Sequence, residues 1–131
     1  ARTFQYEEGQ SRIGATIWEK PELYIENSPV FHMDKVTTPL FLRHNDKDGA
    51  VPWYQSIEIY LGLRRQQKPV WLLNYNDGDH WNLKLPHRID YNIRMMQFFD
   101  HYLKGAPMPV WMKNGRSAID KETEDALELE K

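Results

Sequence analysis

Two charged loops of the sequence carry the residues whose types suit proton-transfer chemistry. The first, HNDKDGAVP at residues 44–52, contains Asp48, and the second, NDGDHW at residues 76–81, contains His80. A carboxylate that accepts a hydrogen bond from one imidazole nitrogen fixes the tautomer of the ring and stabilises its protonated form. The other ring nitrogen can then take a proton from a nucleophile. The pair would serve as the acid and base of a Ser-His-Asp triad if the fold brings the loops together.

Each loop follows a short apolar segment with the pattern of a buried strand. PLFLRH at residues 39–44 leads into the first loop, and KPVWLLNYN at residues 68–76 leads into the second. Helical spacing of apolar residues follows each loop, over residues 52–67 and 86–105. This order predicts an α/β fold with parallel strands and flanking helices. Adjacent parallel strands lie about 4.8 Å apart and end at the same edge, so we expect Asp48 and His80 to meet.

The remaining segments are predicted to support this unit. Residues 1–38 are expected to form short helical turns interrupted at Pro21, Pro29 and Pro39, without a long element. The second helix carries a broad apolar stripe that we expect to be core: Ile89, Tyr91, Ile93, Met95, Met96, Phe98, Tyr102 and Leu103. A charged tail over residues 113–131 is expected to be weakly ordered.

Composition excludes several classes of function. The 131 residues suit one domain at most. A net charge of -2 without a basic run lacks the electrostatic footprint for nucleic acid. The absence of cysteine excludes disulfides, thiolate zinc sites and a cysteine nucleophile. No apolar run approaches the ~18 residues of a membrane span.

Three segments together resemble a known family. The stretches HNDKDGAVPWYQSIEIYLGLRR, PVWLLNYNDGDH and FFDHYLKGAPMPVWM are similar to the C-terminal end of the catalytic domain of prolyl-oligopeptidase-family serine peptidases, which include dipeptidyl peptidases and acylaminoacyl peptidases. The similarity covers roughly residues 20–112 and implies the C-terminal portion of an α/β-hydrolase fold, which we assign to residues 1–131, and a peptide substrate. We expect neither cofactor nor metal. The resemblance also implies that Asp48 is the triad acid, His80 the base and His44 the strand-terminal histidine. Asn45 stands where the family often has Gly.

The nucleophile of that family has no counterpart in the sequence. Its G-x-S-x-G elbow does not occur among the 131 residues; Ser11, in GQSRIG, has the wrong spacing and Ser28 reads as a cap or turn. We therefore expect a serine peptidase fragment that supplies Asp48 and His80 and is inactive alone. The elbow would lie about 60–130 residues before Asp48. The alternatives are a noncatalytic interaction module with the same scaffold, and an esterase or acyl hydrolase.

The two loops also admit other interpretations. Asp46 is the other candidate for the acid. It could instead form an Asx turn, and its position in the loop favours Asp48 as the acid. Asp77 and Asp79 are expected to shape the second turn, and Trp81 to pack at the edge of the pocket. The D-x-D-G pattern fails as an EF-hand, because acids are missing at its first and last positions and no helix precedes it. A metal site that combines His44, Asp46, Asp48 and His80 is an alternative that we do not adopt.

One strand edge is expected to drive association. The first strand, residues 40–44, would normally pair on its far side with a strand that this sequence does not contain. An unpaired apolar edge favours pairing with another copy of the chain. We therefore expect homo-oligomers, unless the N-terminal segment folds back over the edge.

Overall fold

A computed structural model of the chain describes residues 3–81, 84–116 and 126–129. Helices surround a small sheet. In chain order the elements are α1 (Thr3–Glu7), α2 (Pro21–Glu26), a 3₁₀ helix (Pro29–Lys35), β1 (Leu40–Asn45), α3 (Tyr54–Arg65), β2 (Val70–Tyr75), α4 (Leu85–Lys104) and α5 (Val110–Asn114).

The two strands pair in parallel. Their register runs from Leu40 opposite Val70 to Asn45 opposite Tyr75, so both strands end at the same edge of the sheet. The prediction of parallel strands with flanking helices is confirmed. Within the described residues, β2 is the one strand that pairs with β1 in this sheet.

Alternating side chains bury the sheet on both faces, because successive residues of a strand point to opposite sides. One face packs against the 3₁₀ helix and α3 through Leu40, Leu42, Val70, Met33 and Leu63. The other face packs against α4 and α5 through Phe41, Trp71, Leu73, Phe98, Trp111 and Met112. The sheet is therefore the middle layer of three.

The helix ends follow the chemistry of proline and glycine. Pro21 and Pro29 lie in the first turn of α2 and the 3₁₀ helix, where a missing N–H has no cost, so they open these short helices. The third helix begins at Tyr54, two residues after the predicted start at Pro52. The fourth ends as predicted at Gly105, whose φ of 69° is the left-handed conformation that glycine adopts readily.

The prediction that the whole apolar stripe of α4 is core was wrong. Ile89, Ile93, Met96 and Leu103 are between 38% and 76% exposed. The packed side of the helix instead holds Phe98 and Arg94, whose guanidinium lies 5.4 Å from the centre of the Trp111 ring. Helical periodicity detects an apolar face, but a wide stripe leaves open which part of it contacts the sheet.

Part of the predicted tail packs against α5. The Val110 N–H donates to the Glu128 carbonyl at 2.8 Å, and the Trp111 N–H donates to the Ala126 carbonyl at 3.0 Å. Pro109 and Leu129 form an antiparallel bridge. The prediction of weak order for residues 117–125 and 130–131 lies outside the described residues. No helix in the described part of the chain is both long and apolar enough to span a membrane.

Candidate active site

Asp48 shapes the loop that follows β1. Its Oδ1 accepts hydrogen bonds from the backbone N–H groups of Ala50 at 2.8 Å and Val51 at 2.7 Å. A short carboxylate that binds backbone two or three residues ahead reverses the chain within the loop. The side chain of Asp48 is only 6% exposed.

The loop after β2 turns through Asp77 and Asp79. Asp77 has a φ of 59°, a left-handed conformation that aspartate tolerates better than most residues. Asp79 Oδ1 accepts a hydrogen bond from the Trp81 N–H at 3.0 Å. Both residues therefore shape the turn, as predicted, and they place His80 at its tip.

The two loops meet through Asp48 and His80. Nδ1 of His80 lies 2.9 Å from Oδ2 of Asp48. Because a carboxylate oxygen only accepts, Nδ1 must carry the hydrogen. The His80 side chain is 40% exposed, and its Nε2 has no hydrogen-bond partner among the described residues. The structure thus brings together the two residues that the sequence predicted as a pair, with one ring nitrogen held and the other accessible.

The environment of Asp48 favours its charged form. Burial alone would raise the pKa of this carboxyl, but hydrogen bonds from the Val51 N–H, His80 and the Ala50 N–H outweigh burial and lower the pKa to about 2. Asp48 is therefore ionised at neutral pH. A fixed negative charge beside Nδ1 of His80 stabilises the imidazolium form of that ring.

Asn45 ties the two loops together, a role that the sequence did not reveal. This side chain is 1% exposed, and its amide N–H donates to the carbonyl of Asp79, the residue before His80. The Lys47 N–H donates to the Gly78 carbonyl at 3.0 Å, and the Lys47 ammonium pairs with the Asp77 carboxylate. The signal in the sequence was an amide at the strand end in place of the family's glycine.

His44 is a second imidazole on the same carboxylate. Its Nε2 lies 3.1 Å from Asp48 Oδ2 and 3.2 Å from the Val51 carbonyl, and its Nδ1 lies 2.6 Å from Ser56 Oγ. The sequence marked His44 as a strand-terminal residue without assigning it a contact. Ser56 was missed altogether, since nothing in a helix sequence shows that one hydroxyl faces a strand end twelve residues earlier.

The other candidates lie apart from this pair. Oδ1 of Asp46 is buried and has no hydrogen-bond partner. The carboxylate in contact with the His80 ring is that of Asp48. Ser28 Oγ donates to the Tyr24 carbonyl at 2.5 Å just before the 3₁₀ helix, as a turn residue does. Trp81 is 68% exposed, so the expectation that it packs was wrong; its ring stands edge-on to the His80 ring at 5.1 Å.

The pair opens onto a shallow cavity of about 330 Å³, lined in part by Arg43, Val51 and Ile59. In the described parts of the chain, no group of three or more His, Asp or Glu side chains is arranged to hold a metal ion. The half-buried ring of His80 beside the buried carboxylate of Asp48 suits proton transfer at this cavity.

Parallel strands between helical layers, with an acid and a histidine beyond consecutive strand ends, are typical of the α/β-hydrolase class. The solved acylaminoacyl peptidase of Pyrococcus horikoshii superposes on 73% of this chain with a TM-score of 0.61 and 27% sequence identity. The chain thus has part of an α/β-hydrolase fold.

The family is shown by sequence. The model of the prolyl oligopeptidase family matches residues 1–106. Similar curated proteins include the acylamino-acid-releasing enzyme of Rattus norvegicus, 33% identical over 49% of this chain, and dipeptidyl-peptidase 5 of Porphyromonas endodontalis, 25% identical over 70%. The chain belongs to the prolyl oligopeptidase family of peptidases. It spans only 8% and 14% of the length of these two relatives, and 16% of the solved peptidase.

Proposed function

We propose that this chain supplies the acid, Asp48, and the base, His80, of a Ser-His-Asp triad that hydrolyses peptide bonds. The observation that carries the proposal is the 2.9 Å contact between Nδ1 of His80 and Oδ2 of a buried, ionised Asp48. The relatives named for acylamino acids and dipeptides support a peptide substrate.

Each residue has a defined task in this proposal. A serine from a segment outside the 131 residues attacks the peptide carbonyl, and Nε2 of His80 takes the proton from its hydroxyl. The same nitrogen then gives the proton to the leaving amine. Asp48 holds the ring in the Nδ1–H tautomer and stabilises the imidazolium that forms between these two steps.

The geometry on both sides of the His80 ring supports this division of work. Asp48 is 6% exposed and receives backbone hydrogen bonds, so it is fixed before any substrate arrives. His80 is 40% exposed, so a hydroxyl and a substrate can approach its other edge. A preorganised acceptor behind an accessible base is what proton transfer requires.

A chimera tests the proposal. The region of the Pyrococcus horikoshii peptidase that superposes on this chain is replaced by the corresponding residues of this chain, and hydrolysis of a peptide-nitroanilide is measured. We expect hydrolysis, and labelling by a fluorophosphonate. His80→Ala and Asp48→Asn should each lower kcat by at least about a thousandfold, as the loss of a triad member does. Asp46→Asn, a matched change on the same loop, should retain activity.

Three outcomes would contradict the proposal. One is a folded chimera that hydrolyses the peptide equally well with Ala at position 80. Another is cleavage of nitrophenyl esters without cleavage of peptides, which would favour the esterase alternative. The third concerns the chain by itself, which contains no G-x-S-x-G elbow: cleavage of the peptide by the purified chain, or its reaction with the fluorophosphonate.

A further inference from the structure

His44 is a buried titratable group that the triad mechanism does not use. It is 7% exposed and lies at the end of β1, next to Asn45. Both of its ring nitrogens have partners. Nε2 lies within 3.2 Å of two oxygens, which is one more than a single N–H group needs. One of those oxygens is the oxygen of Asp48 that also holds His80.

The contacts of His44 define its tautomer. Nε2 faces two oxygens that can only accept, Oδ2 of Asp48 and the Val51 carbonyl, so Nε2 carries the hydrogen. In the neutral ring Nδ1 then accepts, and Ser56 Oγ at 2.6 Å donates its hydroxyl hydrogen to it. Ser56 lies in the first turn of α3, so this hydrogen bond fixes the ring against a helix that packs on the sheet.

Nitrogens approach both oxygens of Asp48. Oδ1 receives hydrogen bonds from the N–H groups of Ala50 and Val51, and Oδ2 receives one from Nδ1 of His80. Nε2 of His44, whose hydrogen bond is to the Val51 carbonyl, lies 3.1 Å from Oδ2. The backbone groups hold one oxygen within the loop, but they leave the tilt of the carboxylate plane unfixed. The Nε2–H group of the buried His44 ring attracts Oδ2 electrostatically across 3.1 Å, and its hydrogen bond to the Val51 carbonyl anchors the loop that carries Asp48.

We propose that His44 is a positioning residue. Its ring is braced by Ser56, its Nε2–H is bonded to the Val51 carbonyl and lies 3.1 Å from Oδ2 of Asp48, and it thereby holds that oxygen in the orientation that accepts from Nδ1 of His80. The consequence for catalysis rests on the proposed function above. The arrangement of His44, Asp48 and His80 does not rest on the proposed function, because all three residues lie within this chain and their tautomers can be measured without a substrate.

Nitrogen-15 NMR of the histidine rings tests the proposal, recorded above the pH at which the rings lose their charge. In the unmodified chain we expect His44 as the Nε2–H tautomer and His80 as the Nδ1–H tautomer. His44→Leu keeps the bulk and removes the donor. There the ratio of Nδ1–H to Nε2–H forms of His80 should fall about fivefold or more, as expected when a charge-assisted hydrogen bond loses its geometry.

Three further variants separate positioning from packing. His44→Gln retains an N–H donor and an acceptor, so it should restore most of the His80 tautomer ratio that His44→Leu loses. Ser56→Ala removes only the brace, so its ratio should fall between those of the unmodified chain and His44→Leu. His32→Gln is the matched control, since the ring of His32 hydrogen-bonds to the carbonyls of Ile25 and Glu26, and it should change nothing at His80.

The proposal is overturned if His44 is found as the Nδ1–H tautomer in the unmodified chain. It is also overturned if His80 keeps its tautomer ratio in folded His44→Leu, or in Ser56→Ala if the leucine variant does not fold. In the chimera, His44→Leu should lower kcat about tenfold or more with little change in KM, since only the acid is displaced. If the NMR result holds while the chimera is inert, the proposed function fails and the positioning role stands.

Discussion

The side chain of Asn45 lies directly over the Cα atom of Gly78, so that a Cβ at position 78 would be 2.7 Å from Cγ of Asn45. Real Cβ atoms essentially never come so close to another atom. Gly78 is therefore needed for its lack of a side chain. The end of β1 and the turn that carries His80 can pack this closely because position 78 has no side chain.

Gly78→Ala should destabilise the chain by about 1–3 kcal/mol, because the buried Asn45 must move or the turn must lift away from it. The measurement is the free energy of unfolding in urea. Gly49→Ala is the matched control on the other loop, where an added Cβ meets no atom within 4 Å, and it should be close to neutral. Equal stability of the two variants would contradict the close approach of Asn45 and Gly78.

Asp48→Asn should change how stability depends on pH. The pKa of this carboxyl is about 2 in the folded chain against an ordinary value of 3.8, so the unfolded chain binds more protons between these values. The stabilisation is present above pH 3.8 and is lost as pH falls through about 2. It amounts to about 2 kcal/mol.

Urea unfolding of the unmodified chain and Asp48→Asn at several pH values below 5 measures this contribution. The difference in free energy between the two proteins should shrink steadily as the pH falls. Asp46→Asn alters a neighbouring carboxylate without touching His80 and provides the control. A difference that stays constant over this range would contradict the low pKa of Asp48.

Asp90→Asn should cost about 1–3 kcal/mol of stability, because it neutralises the partner of a buried cation. Arg94 is 2% exposed and its Nε donates to both oxygens of Asp90, at 3.1 and 2.9 Å, while the Tyr75 hydroxyl donates to Oδ2 at 2.6 Å. Burial opposes the charge of Asp90, but the hydrogen bonds from Arg94 and Tyr75 hold its pKa below the ordinary value.

Asp100→Asn is the matched comparison for that variant. Asp100 forms an ion pair with Lys104 at the same spacing on the same helix, but Lys104 is 73% exposed. Exposed pairs contribute about 0–1 kcal/mol, so thermal or urea unfolding should barely change. Similar losses in the two variants would show that burial of Arg94 does not set the cost.

The chain should self-associate through its uncovered apolar surfaces. The outward line of α4 exposes Ile89 and Met96, and the far edge of β1 has no strand partner among the described residues. Light scattering should show a mass that rises with concentration. The double substitution Ile89→Lys and Met96→Lys should lower this mass. Glu58→Lys changes the net charge by the same amount at an exposed position on α3 and should not lower it. A monomer at high concentration would contradict this prediction.

The sequence predicted the pair at the site because that prediction needed only the backbone. Two apolar segments separated by one helix imply parallel strands, and parallel strands end at one edge, so Asp48 and His80 could be brought together without knowledge of any side-chain packing. His44, Asn45 and Ser56 were missed or left without a role for the complementary reason. Their partners depend on rotamers and on distances across the fold, which spacing along a strand or helix does not encode.

The error in α4 has a different origin. Apolar residues cover so much of this helix that its periodicity indicates burial without identifying the buried side. Arg94 shows why: a long cation lies in the interior because Asp90 and the ring of Trp111 accept it, while Ile93 beside it is exposed. A hydrophobic pattern cannot register a buried charge whose partner lies one helical turn away.

The two oxygens of Asp48 serve separate purposes, and this affects how related sequences should be read. Oδ1 builds the loop, so an aspartate would be retained there for folding even in a homologue that had given up hydrolysis. His80 contributes little to the loop beyond its contact with that carboxylate. Under the proposed function, the histidine is therefore the diagnostic position in a comparison of homologues: its replacement beside a retained aspartate would mark a protein without the proposed base, whereas the aspartate alone says only that the turn is intact.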